Sequence, residues 1–164
     1  MAYNGREAIR RTLTNFISAP SFSGINQVFR SFPKIIQWEV NSFPGQQYLS
    51  AAVIHIESEE ETRLAIGGAT NGIKRVDSQV AVWIAFHGLW GGLEEAMDEF
   101  DQLIENFKEL LRSDHQFGDT SGTLVWQGAE PVIRATYSEP EVDDNGVIDI
   151  WAIVRFPVTQ MIQA

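Results

Sequence analysis

Two histidines and a glutamate give the first candidate for chemistry. His55 and Glu57 stand two apart, which on a strand places them on one face, and with His87 or His115 they would offer zinc three ligands and an open fourth position. No HExxH or comparable second spacing accompanies them, so a strand histidine beside a surface acid is the more economical reading. Glu141, Asp143, Asn145 and Gly146 imitate the first half of a calcium loop, but the twelfth position, which needs a bidentate Glu, is Ala152. An acidic turn explains that segment better. GGATNG at 67–72, followed by Ile73-Lys74-Arg75, sets glycine amides near two cations without the GxxxxGK[ST] order of a phosphate loop. A turn with basic flanks is expected there. No serine sits in GxSxG, and there is no cysteine to serve as thiol nucleophile, thiolate ligand or disulfide. The sequence therefore offers no catalytic residue, no metal site and no cofactor site.

The elements that would hold these residues follow from hydrophobic spacing. Ile9, Leu13, Phe16 and Ile17 recur at helical intervals and predict a helix over Arg6–Ala19, stopped by Pro20. From Ser21 to Gly45 the pattern is irregular yet rich in Phe, Ile and Trp, as expected of a loop laid over an apolar surface. Gln47–Glu57 is predicted as a strand. Glu59-Glu60-Glu61 then separates it from a short run over Thr62–Ile66. Ile73–His87 is the next strand, and because Val80, Val82, Ile84 and Phe86 alternate with Ala81, Trp83 and Ala85, it should lie centrally with both faces covered. Leu93–Arg112 is a long amphipathic helix. Its stripe of Leu93, Met97, Phe100, Leu103, Ile104, Phe107, Leu110 and Leu111 backs onto a face of seven acids, which reads as a solvated surface. Two final strands, Thr123–Tyr137 and Val147–Val158, are joined across an Asn145-Gly146 turn, with Pro131 implying a bulge or an edge. The expected fold is a single α+β domain over 1–164: a mostly antiparallel sheet packed against two amphipathic helices, with a β-hairpin arm.

Composition narrows the function classes. With 164 residues, 44% apolar and 21% charged, the chain has the make-up of one globular core. No apolar run approaches the ~20 residues of a membrane span, and the charged start MAYNGREAIRR does not read as a secretion signal. A net charge of −10 argues against a conventional nucleic-acid reader. That charge is unevenly spread: residues 1–75 hold eight bases and six acids, residues 76–164 four bases and sixteen acids. Copies that present the two halves on different faces would attract head to tail, the contact that closes into rings. The plain alternative is an acidic surface that keeps the protein dispersed.

The segments EAIRRTLTNFI, FPKI, ETRLAIGGATNGIKRVDSQVAVWIAF, AMDEFDQLIENFKELLR and GVIDIWAIVRFPVTQMI, in that order over nearly the whole chain, resemble the tail terminator, or tail completion, proteins of long-tailed bacteriophages. The resemblance implies a small α+β subunit forming a ring, typically a hexamer, at the head-proximal end of the tail tube. Such a ring stops tube polymerisation, meets the tube protein on one side and a neck or head-completion protein on the other, and lets genomic DNA pass. The expected location is the tail–neck junction of a virion assembled in the host cytoplasm. The resemblance brings no enzyme activity, cofactor or membrane partner. Arg63, Lys74 and Arg75 on the hairpin arm are the expected contacts to the acidic part of a neighbouring copy. The alternatives are another head–tail connector or minor tail protein, or a small ligand-binding domain or enzyme.

Overall fold

The computed structural model describes residues 5–19, 22, 24–33, 48–64, 72–89, 92–118, 125–127 and 132–163. Its elements are α1 (Arg6–Ile17), β1 (Gln27–Phe29), β2 (Tyr48–Arg63), β3 (Ile73–Leu89), α2 (Leu93–Ser113), β4 (Val125–Gln127), β5 (Arg134–Tyr137), β6 (Glu141–Val142) and β7 (Val147–Gln163). The strands form one sheet in the order β1-β2-β3-β7-β4, with β5 and β6 also paired to β7. Among the described strands only β1 on β2 is parallel. The architecture is the expected α+β fold with a mostly antiparallel sheet.

Three long strands carry it. At about 3.3 Å per residue, β2, β3 and β7 each run roughly 50–55 Å, with β3 central. One face of this ribbon is the core: Ala52, Ile54 and Ile56 of β2, Val80, Val82, Ile84 and Phe86 of β3, and alternate residues Ile148 to Val158 of β7 are all buried. Both helices supply the opposing layer on that same face. α1 buries Ile9, Leu13 and Ile17, and α2 buries Ala96, Phe100, Leu103, Ile104, Phe107 and Leu111. Phe100 meets Phe86 edge to face at 5.0 Å between centroids, which ties α2 to the middle strand. α1 is tied at its start, where the Gly5 amide donates to the Gln160 Oε1 of β7 at 3.0 Å.

The structure corrects several expected boundaries. The glutamates 59–61 do not interrupt a strand: β2 continues through them to Arg63, with one irregularity between Ile56 and Ser58. Pairing along β3 overrides the poor strand propensity of a glutamate run, as tertiary context commonly does. β7 extends beyond Val158 to Gln163, because β3 offers partners as far as Ile73. The hairpin arm of β2 and β3 consequently has a third strand beside it. The span Thr123–Tyr137 holds two short strands, β4 and β5, and the join after it holds β6. A three-residue strand, β1, lies within the stretch expected to be irregular. α1 ends at Ile17, two residues early, since Ala19 precedes Pro20 and is biased away from helical geometry. Leu93 stays exposed at the first turn of α2. Most of GGATNG and Pro131 lie outside the described residues.

Candidate assembly surfaces

β2 and β3 bring the three expected contact cations together at one end of the sheet. Arg63 is the cross-strand partner of Lys74, and Arg75 pairs with Thr62 in the next register position. Since β-strand side chains alternate, Arg63 and Lys74 share the helix-side face and Arg75 lies on the other. Two of the three are already engaged within the chain. Lys74 Nζ donates to Glu61 Oε2 at 2.9 Å, and Arg75 Nε lies 2.8 Å from Asp77 Oδ2. Asp77 also accepts from the buried Thr159 hydroxyl at 2.6 Å, which links β3 to β7. Arg63 is exposed and has no ion-pair partner among the described residues.

The second surface is the outer side of α2. Glu94, Glu95, Asp98, Asp101, Glu105 and Glu109 are exposed on it. Two of these acids have local cations, in the pairs Lys108–Glu105 and Arg112–Glu109. The hydrogen bond from Lys108, reinforced by its charge, holds the Glu105 carboxyl below the usual carboxylate range. The same bond raises Lys108 above the ordinary lysine value. Among the described residues Glu94, Glu95, Asp98 and Asp101 have no ion-pair partner.

The zinc candidates are dispersed. His55 and His87 sit six residues apart in β3 register, roughly 20 Å along the sheet. Glu57 accepts from Arg155 Nε at 3.0 Å, and His115 lies in the turn after α2. Among the described residues no three His, Asp or Glu side chains gather around a point fit for a metal. In the calcium-like segment, Asp143 Oδ1 accepts from the amides of Asn145 and Val147 at 2.8 and 2.9 Å, so its carboxylate closes the turn. Gly146 completes that turn at φ 80°, a conformation that favours glycine.

Sequence reasoning missed what the outer face of the sheet holds. Trp83 and Trp151 stack at 5.4 Å, Phe32 meets Trp83 edge to face at 5.4 Å, and His55 lies 5.3 Å from Phe32. One end of this aromatic strip is bounded by His87 Nδ1 and Asp149 Oδ1, 2.6 Å apart, and the other by Arg155 with Glu57. Alternation put Trp83 on the side of its strand opposite Val82 and Ile84, a side expected to be covered, and Trp151 on the mixed side of the last strand. Only the β3–β7 register, which sets Ala85 opposite Trp151, brings the rings side by side.

No protein-family model matches the chain, and no curated protein matches it. Among the described residues no helix is long and apolar enough to cross a membrane.

Proposed function

We propose that this chain is a structural virion subunit that assembles as a ring at the head-proximal end of a phage tail tube, where it ends tube growth and joins tail to neck around the passing DNA. The observation that carries the reading is the placement of the exposed Arg63 at one end of a long sheet, away from the residue on which α2 is anchored. Phe100 of α2 packs on Phe86, twelve residues or about 40 Å along β3 from Lys74. Arg63 therefore lies far from the Phe100 level of the acidic ridge within one copy, and its charge is opposite to that of the ridge on another. A contact of one surface with a different surface is heterologous, and a heterologous contact closes into a ring when its rotation permits. The order of segments that resembles tail terminators supplies the place of such a ring. A net charge of −10 suits a lumen that DNA must traverse without being held, because each phosphate contact would add salt-sensitive affinity.

Arg63 gives the cleanest test, since its side chain has no ion-pair partner among the described residues. Native mass spectrometry of the wild type should show a ring, six copies in the resembled family, and Arg63→Glu should shift it toward single subunits with unchanged circular dichroism. Particles lacking the gene should carry overlong or unjoined tails. A wild-type protein that stays monomeric, together with normal tails in the gene's absence, would overturn the proposal.

A further inference from the structure

Asn145 and Gly146 are exposed on the turn between β6 and β7. In an asparagine–glycine pair the side-chain amide is open to attack by the backbone, because glycine has no side chain to shield its own nitrogen. The reaction needs water and nothing else. The Gly146 nitrogen gives up its proton and attacks the Asn145 Cγ. As the new C–N bond closes a succinimide ring, the Cγ–Nδ2 bond breaks and ammonia leaves with the proton. Water then opens the ring at either carbonyl, leaving aspartate or isoaspartate at position 145.

The folded turn opposes ring closure. The Gly146 amide donates to the Asp143 carbonyl at 3.0 Å, so the nitrogen that must lose its proton is engaged. Neither Asp144 nor Asn145 has a positive φ, and with that hydrogen bond the turn is type I, Asn145 in its third position. A residue there has ψ of about 0°, which points the following nitrogen away from the residue's own Cβ. Ring closure must swing the Gly146 nitrogen toward that Cβ and break its bond to Asp143. The Asp143 carboxylate resists the swing from both sides of the reactive peptide: Oδ1 accepts from the Asn145 amide at 2.8 Å and from the Val147 amide at 2.9 Å. The Asp143 amide in turn donates to the Val147 carbonyl at 3.0 Å, which ties the turn to the β6–β7 pair.

We propose that Asn145 is a site of spontaneous deamidation whose rate is set by the Asp143 carboxylate, which holds the turn in a conformation that does not close the ring. Conversion adds a negative charge beside Glu141, Asp143 and Asp144. The isoaspartate form also inserts a backbone methylene into the β6–β7 connection, and the two-residue β6 has little pairing to hold against it.

The test follows position 145 by peptide mapping during incubation at neutral pH, where an acid replaces the amide and isoaspartate elutes apart from aspartate. Mapping also separates Asn145 from the other Asn-Gly pairs, at 4–5 and 71–72. Native wild type is compared with the same protein unfolded in guanidinium chloride and with native Asp143→Ala and Asp143→Asn, circular dichroism showing that both variants are folded. The unfolded chain should react at Asn145 at least tenfold faster than the native protein. Asp143→Ala should react roughly three- to tenfold faster than native wild type, the weight of a lost hydrogen bond on an exposed turn. Asp143→Asn keeps a side-chain oxygen for the same two amides and should stay within about twofold of wild type. Equal rates in native and unfolded wild type, or no product at position 145 in the unfolded chain, would overturn the proposal. So would a wild-type rate in Asp143→Ala, or a rate in Asp143→Asn as high as in Asp143→Ala. These rates are read on one turn of one subunit, so they stand apart from the ring reading.

Discussion

Asp77→Ala tests whether the end of the sheet that carries the contact cations is held by a buried hydroxyl. The Thr159 side chain is almost wholly buried, and its Oγ1 donates to Asp77 Oδ1 at 2.6 Å, while the carboxylate is 37% exposed and keeps access to water. A hydrogen bond to a charged group contributes roughly 1.5–3 kcal/mol, and partial exposure of the acceptor lowers that to about 1–2 kcal/mol. Most of the loss on removing Asp77 is the cost of leaving the Thr159 hydroxyl without an acceptor, because the Arg75–Asp77 pair is exposed and worth at most about 1 kcal/mol. Thr159→Val removes the hydroxyl with its requirement and should cost less than about 1 kcal/mol. The loss in the double variant should then be about 1 kcal/mol smaller than the sum of the two single losses. Urea titration of all four proteins at one concentration measures this, with an unchanged slope showing that the unfolded reference is the same. Thermal midpoints should follow at about 2–4 °C per kcal/mol for a chain of this size. Losses that add to within about 0.3 kcal/mol would refute the reasoning, since independent sites behave that way.

Phe100→Ala should cost about 3–5 kcal/mol, because the ring is fully buried and packs edge to face on both Phe86 and Tyr137. Its thermal midpoint, read by circular dichroism, should fall by roughly 10 °C or more. Lys108→Met should show a pH-dependent loss relative to wild type. Glu105, held low, stabilises above its usual value of 4.5 and stops doing so as pH falls through its folded value. Lys108, held high, stabilises fully below its usual 10.5 and loses this as pH rises through its folded value. The gap between the two proteins in urea midpoint should therefore be widest at neutral pH and narrow at both extremes. A gap that is constant with pH would point to lost packing of the lysine stem.

The sequence by itself determined the elements whose pattern is long and amphipathic. The 3.6-residue stripes of α1 and α2 and the alternation of β3 and β7 state which side of each is buried, because burial of apolar surface follows directly from side-chain direction. The central position of β3 was legible for the same reason, from apolar residues on both its sides. Tertiary structure alone decided where pairing overrode propensity. Glu59, Glu60 and Glu61 look like an interruption, yet β3 holds them in a strand, and β7 runs five residues past its strongest pattern because a partner is present. The candidate surfaces divide along the same line. The acids of α2 and the cations at 63, 74 and 75 are local features of the chain. That Lys74 and Arg75 are neutralised from within, while Arg63 has no ion-pair partner among the described residues, depends on Glu61, thirteen residues from Lys74, and on Asp77 as Thr159 holds it from across the sheet. Register across strands brings such pairs together, and register is fixed by which faces must be buried, a property of the assembled sheet.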